Sequence, residues 1–253
     1  MDLDAWRCDV RSGDGVPDNA LALMLYGSSA RGDSMPDSDV DLLVLVPERP
    51  GSAVSGRLSI VRYLPTQIEA MVSARGLFAW HLKSEGAYLE DDQNVLRSLL
   101  AAHSGPDPQA TLARVRDLTA VLDISEKQFY VAPGIERVAK YLLRTAIYAQ
   151  AIASGHHSFA VHAASATVDP TGCVGEMMRR PAAGSSADWV KFLKMKQSLG
   201  DLVGGLRVNE FGSLDALVVR TSELNPPLSA LALHALTNPT DEMAYAAIGM
   251  PVL

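Results

Sequence analysis

Two apolar runs joined by a short polar stretch constrain this chain more than any other feature. Residues 21–46 read LALMLYGSSARGDSMPDSDVDLLVLV. The first run, 21–26, stops at Gly27-Ser28, and the second opens with Asp39-Val40-Asp41 and continues to Val46. Each has the length of a buried strand, and the Gly, Ser, Pro and Asp between them mark a loop or a short helical turn. Side chains alternate along a strand, so Asp39 and Asp41 leave one face while Val40 leaves the other.

Two neighbouring carboxylates repel each other unless a cation sits between them, which makes Asp39 and Asp41 a natural seat for Mg²⁺. Gly27 and Ser28, at the end of the preceding strand, offer unblocked backbone N–H groups and a hydroxyl suited to an anionic phosphate. Gly27-Ser28, Arg31-Gly32 and Ser38-Asp39-Val40-Asp41-Leu42 together resemble the signature of the DNA polymerase beta-like nucleotidyltransferase superfamily in its small bacterial form. The resemblance implies that Gly27 and Ser28 hold the terminal phosphates of a nucleoside triphosphate, that Asp39 and Asp41 hold two Mg²⁺ ions, and that Arg31 neutralises phosphate charge. A solvent-facing hairpin with a loop rich in Gly, Ser and Asp is the bland alternative. It accounts less well for the ordered spacing of the whole constellation.

The chain has 253 residues, of which 48% are hydrophobic, enough for one large core or two ordinary ones. Its net charge of −7 provides no broad positive field for a nucleic-acid backbone. A small nucleotide with a protein or small-molecule acceptor is therefore favoured over RNA. Cys8 and Cys173 lie far apart without metal-ligand spacing, which excludes a disulfide framework and suits a cytoplasmic location. The N-terminal stretch is acidic and lacks the apolar segment of a secretory signal, and no apolar run is long enough for a bilayer.

Residues 3–10 can form a short helix before the first strand. Pro47 and Pro50-Gly51 are expected to end the second strand, and 57–64 reads as a third, with Ser59, Val61 and Tyr63 on one face. The resemblance implies a third carboxylate on this strand, yet no acid lies between Glu48 and Glu69. Three readings account for the gap. Glu69, on an expected helix over 66–74, reaches the metal site as a catalytic group; or two protein carboxylates suffice; or the domain binds nucleotide without turnover. The second is preferred because the rest of the signature is intact, and because Ile68, Met71 and Val72 must pack inward and turn Glu69 outward. A helix over 76–86 and a short edge strand at Tyr88-Leu89 complete the domain. Within it, His81, Lys83 and Glu85 read as solvated charges, and Glu85, Glu90, Asp91 and Asp92 as residues able to line an acidic cleft.

Two prolines and a glycine at 105–108 mark a boundary, dividing a domain over 1–103 from a helical domain over 109–253. Helices are expected over 109–123, 134–154, 188–202, 213–224, 228–236 and 240–247. Residues 155–185 are rich in Gly, Ser, Ala and Pro, and His156, His157 and His162 within them lack the acid or cysteine spacing of a zinc site, so they read as two exposed loop residues and one residue at a helix start. Helical partners of small nucleotidyltransferases are often of the HEPN type, with an Arg-x4-His ribonuclease motif. No arginine here has that spacing. Acceptor binding or homodimer formation is the expectation for the helical half, with Lys140 and Arg144, one turn apart, as nucleotide-phosphate contacts.

The expected fold is α+β: a small polymerase beta-like domain with a mixed sheet, followed by an all-α bundle. The expected function is Mg²⁺-dependent transfer of an NMP from an NTP to a hydroxyl of a protein, an antibiotic or other small molecule, or RNA. The alternative is an inactive nucleotide-binding regulatory or antitoxin-like module.

Overall fold

Strand β1 (Ala22–Tyr26) pairs antiparallel with β2 (Val40–Leu45), from Ala22 opposite Leu45 to Tyr26 opposite Asp41. This computed structural model describes residues 16–34, 38–178 and 187–237. Strand β4 (Leu58–Tyr63) lies parallel to β2 with Ser59 beside Asp41, β3 (Gly51–Ser55) runs antiparallel to β4, and β5 (Ala87–Glu90) runs antiparallel to β1. The sheet order is β3-β4-β2-β1-β5.

Both faces of the central strands are buried, which is why β1 and β2 read as continuous apolar runs. Ala22, Met24, Tyr26, Leu43, Leu45, Val61 and Tyr63 form one core with residues of α2 (Pro65–Ser73), α3 (Leu77–Glu85) and α4 (Val95–Ala101). Leu23, Leu25, Val40, Leu42, Val44 and Ile60 form the other. Helix α2 starts at Pro65, where proline's missing N–H costs nothing, and the Gln67 side chain accepts from the Leu64 N–H at 2.9 Å. Its inner face is Ile68, Met71 and Val72, as the spacing predicts.

Strand β3 was not among the expected strands. Residues 51–55 (GSAVS) lack apolar alternation, and their place is set by the ladder to β4 and by the two-residue turn Gly56-Arg57, with Gly56 at φ 61°. Helix α4 was likewise not expected. The Asp91 carboxylate accepts from the Leu96 and Arg97 N–H groups at 3.3 and 2.8 Å, so it caps this helix.

The segment after α4 is fastened to the first unit. Lys83 donates to the carbonyls of Ala101 and His103 at 3.0 and 2.8 Å, and Arg75 to those of Gly105 and Pro106 at 2.8 and 3.2 Å. The His103 ring is 2% exposed and lies 5.4 Å from the Trp80 ring. Its Nδ1 accepts from the Gly105 N–H, so Nε2 carries the proton toward Gly76 O, each contact spanning 3.0 Å.

One compact unit ends at Pro106 and the next begins at Asp107. The second is entirely helical among the described residues: α5 (Pro108–Leu118), a 3₁₀ turn (Thr119–Leu122), α6 (Glu126–Val131), α7 (Ile135–Ala153), α8 (Val161–Val168), α9 (Cys173–Met178), α10 (Trp189–Val203), α11 (Leu214–Thr221) and α12 (Pro226–Leu236). The expected single helix over 109–123 tightens at Thr119, whose hydroxyl donates to Arg116 O at 2.7 Å and accepts from the Arg207 N–H at 2.8 Å. Helices α8 and α9 lie in the Gly-, Ser-, Ala- and Pro-rich stretch, where a helix start at one histidine is expected and α9 is not. His156 and His157 are exposed before α8, and His162 is exposed in its first turn. The expected helices over 3–10 and 240–247 fall outside the described residues. No helix among the described residues is long and apolar enough to cross a membrane.

Burial lowers the pKa of His103, and the nearby Lys83 and Arg75 charges reinforce this against the Gly76 hydrogen bond, which raises it. The folded protein therefore binds this proton less readily than the unfolded chain, so stability falls as pH drops below about 6.5. His103→Ala should cost about 1–3 kcal/mol at pH 8 by removing buried hydrogen bonds. It should also flatten the loss of stability between pH 7.5 and 5.5, measured by urea unfolding.

Candidate functional site

The end of β1 and the start of β2 meet at one point. Tyr26 and Asp41 form the last antiparallel pair, and the chain leaves Tyr26 through Gly27 at φ 70° into the five-residue helix α1 (Gly27–Arg31). A Cβ added at Gly27 would collide with the Asp41 carboxylate. Only glycine suits both the left-handed backbone and this close approach. Gly32, at φ 79°, ends α1 and donates its N–H to Ser28 O at 3.0 Å.

Val40 is buried in the second core between the half-buried Asp39 and Asp41. Alternation thus puts both carboxylates on the face shared with Tyr26. The hairpin tip fixes the approach to this pair. Arg57 donates through Nε and Nη2 to Ser38 O, immediately before Asp39, while the Val40 N–H donates to Arg57 O at 2.8 Å. On β4, the strand on which the resemblance implies a third acid, the residue beside Asp41 is Ser59, 8% exposed.

A second group of polar side chains adjoins α1. Arg31 Nε donates to Asp33 at 3.2 Å and Nη1 donates to Glu85 at 3.1 Å. Burial would lower the Arg31 pKa, but the hydrogen bonds and charges of Asp33 and Glu85 outweigh it and hold the guanidinium above its ordinary value. Glu85 also meets His81 one helical turn away at 3.3 Å, and the His81 ring packs edge-on against Tyr26 with centroids 6.0 Å apart. This corrects the expectation of solvated charges on α3: both side chains are under 15% exposed. Lys83, pointing elsewhere, serves the connector. The i,i+4 spacing of His81 and Glu85 beside Phe78 and Leu82 was the available signal.

Gly27, Ser28, Arg31, Asp39 and Asp41 are thus assembled where β1 ends and β2 begins. Glu69 is not among them: it is exposed on α2, opposite Ile68, Met71 and Val72. Lys140 and Arg144 lie half-buried on α7 of the second unit, in a stripe with Glu136 and Tyr148. The expected acidic cleft is divided by use, since Glu85 binds Arg31 and Asp91 caps α4.

Asp39, Asp41 and the Ser59 hydroxyl provide hard oxygen donors of the kind Mg²⁺ takes, with room in its octahedron for water and phosphate oxygens. No group of three or more His, Cys, Asp or Glu arranged to hold a metal ion occurs among the described residues.

Gly27→Ala should destabilise the fold by roughly 1–2 kcal/mol from the left-handed backbone alone, with a further loss from displacing Asp41. Equilibrium urea unfolding against a surface Gly→Ala control measures it. A variant as stable as wild type would contradict the packing of Asp41 on Gly27.

Residues 17–86 match the family model described as a nucleotidyltransferase domain, a span that includes Gly27 through Glu85 of the site. Among solved structures, a nucleotidyltransferase-like protein from Exiguobacterium sibiricum 255-15 aligns at 14% identity over 80% of this chain and 74% of its own, with a TM-score of 0.30. No curated protein matches the chain.

Proposed function

From the nucleotidyltransferase domain at residues 17–86, we propose that the chain transfers an NMP from an NTP to an acceptor hydroxyl in a Mg²⁺-dependent reaction. The observation that carries the proposal is the packing of the Asp41 carboxylate against Gly27, which brings the acidic pair up to the Gly27-Ser28 turn at the end of β1. In this reading Asp39 and Asp41 would hold two Mg²⁺ ions, whose Lewis acidity would polarise the α-phosphate and ease pyrophosphate departure. Gly27 and Ser28 offer N–H and hydroxyl donors to the terminal phosphates, and Arg31 adds a fixed positive charge beside them. Arg57 holds the backbone that presents Asp39. Lys140 and Arg144 are further candidates for phosphate contact.

The acceptor is assigned by class alone: a hydroxyl of a protein or small molecule, in keeping with the net charge of −7. Acceptor binding or self-association is the role proposed for the helical unit. A second reading, nucleotide binding without turnover, draws on one observation. The buried position beside Asp41 on β4 is a serine and not an acid.

Incubation with each labelled NTP and Mg²⁺ should release pyrophosphate or label an acceptor or the protein itself. Asp39→Ala and Asp41→Ala should each cost about three decades in rate, with a thermal midpoint unchanged or raised because like-charge repulsion is relieved. Glu69→Gln should leave turnover within a few-fold, since an exposed side chain on the outer face of α2 is not a positioned base. Binding of NTP with no turnover across nucleotides and acceptor classes would select the second reading. A folded wild type that neither binds nor turns over any NTP would reject both.

A further inference from the structure

Arg31 stands between two carboxylates of unequal character. Its Nε meets Asp33 Oδ2 at 3.2 Å and its Nη1 meets Glu85 Oε2 at 3.1 Å. The Asp33 side chain is 48% exposed and lies two residues further along the chain, just past the end of α1. Glu85 is 13% exposed, sits on another helix, and also contacts His81 Nε2 at 3.3 Å through the same oxygen. His81 is itself wedged against the Tyr26 and Phe78 rings, at 6.0 and 6.4 Å between centroids. The remaining Arg31 amino group, Nη2, meets no acceptor among the described residues, and the side chain keeps 18% exposure.

We infer that Glu85 is the anchor of Arg31 and that Asp33 is a built-in competitor, an internal anion that occupies the guanidinium until nucleotide phosphates displace it. The inference rests on the reading of Arg31 as a phosphate contact. An exposed ion pair between residues two apart in the chain is weakly held, because water and salt screen it. A polyphosphate carries more charge and more acceptor oxygens than one carboxylate, so it wins the exchange. Glu85 does not yield. Withdrawing it would strand a half-buried carboxylate and unseat His81, which costs far more than the loss of a surface pair. Asp33 swings away and Arg31 stays, so the exchange replaces one anion by another around a fixed cation.

The two acids should therefore act with opposite sign, which a shared structural role would not produce. The test titrates the full-length chain with Mg²⁺ and each of ATP, GTP, CTP and UTP, and separately with inorganic pyrophosphate, by calorimetry. Asp33→Asn should tighten the Kd roughly threefold to fivefold at low ionic strength, and the gain should shrink in about 0.5 M salt as screening removes the competition. Glu85→Gln should weaken it about tenfold or more, as expected when a charge pair loses one partner, and Glu85→Asp should recover part of the loss. An Asp33→Asn protein that binds no more tightly than wild type overturns the inference. If Glu85→Gln lowers the thermal midpoint so far that it does not fold, the Asp33→Asn measurement alone decides. Wild type that binds neither NTP nor pyrophosphate rejects the nucleotide reading, and this inference with it. Wild-type binding that Arg31→Ala abolishes, together with no tightening in Asp33→Asn, leaves the nucleotide reading standing and rejects only the competitor.

Discussion

The Asp41 carboxylate fills the volume that any side chain at residue 27 would require, and the rest of the site depends on that contact. It fixes glycine at the exit of β1, and glycine allows the left-handed turn that starts α1 one residue after the Tyr26–Asp41 pair. One turn later the chain reaches Arg31, and Gly32 stops the helix before it can carry the guanidinium past Glu85. A strand register, a backbone dihedral and an ion pair are thus coupled over five residues.

Two kinds of structure converge on this place. The aspartates come from the sheet, where register with β1 and β4 leaves little freedom. Their approach is controlled from outside the sheet's centre, by Arg57 at the tip of the β3–β4 turn holding the Ser38 carbonyl. Strand β3 supplies no buried residue to either core, yet the turn that follows it aims the chain just before Asp39. Its role is alignment.

What could be read in the sequence follows from which forces write a local pattern. Burial on both faces made β1 and β2 continuous apolar runs, and a period of two put Asp39 and Asp41 on one side with no structure in hand. Inward packing of Ile68, Met71 and Val72 correctly turned Glu69 outward. Strand β3 left no such pattern, because its partner strand and turn hold it, and GSAVS has no apolar face to detect. Glu85 was legible as one of three charges on a helix and as one lining residue of an acidic cleft, but not as the partner of Arg31. Its importance comes from Arg31, 54 residues away, and such a pairing is invisible to periodicity. Thr119 broke an expected helix for the same reason, since the N–H it satisfies belongs to Arg207.

The segment around residues 103–106 reads as a linker by composition, yet its carbonyls are taken up by Lys83 and Arg75 and its histidine is buried against Trp80. It is the tail of the first unit. This matters for how such chains are shuffled in evolution. A crossover at His103 would leave Arg75 without its carbonyl acceptors and open the space beside Trp80, whereas one after Pro106 would keep those contacts with the first unit. The seam along which a different helical partner can be grafted therefore lies between Pro106 and Asp107, inside the Gly- and Pro-rich stretch and past the buried histidine.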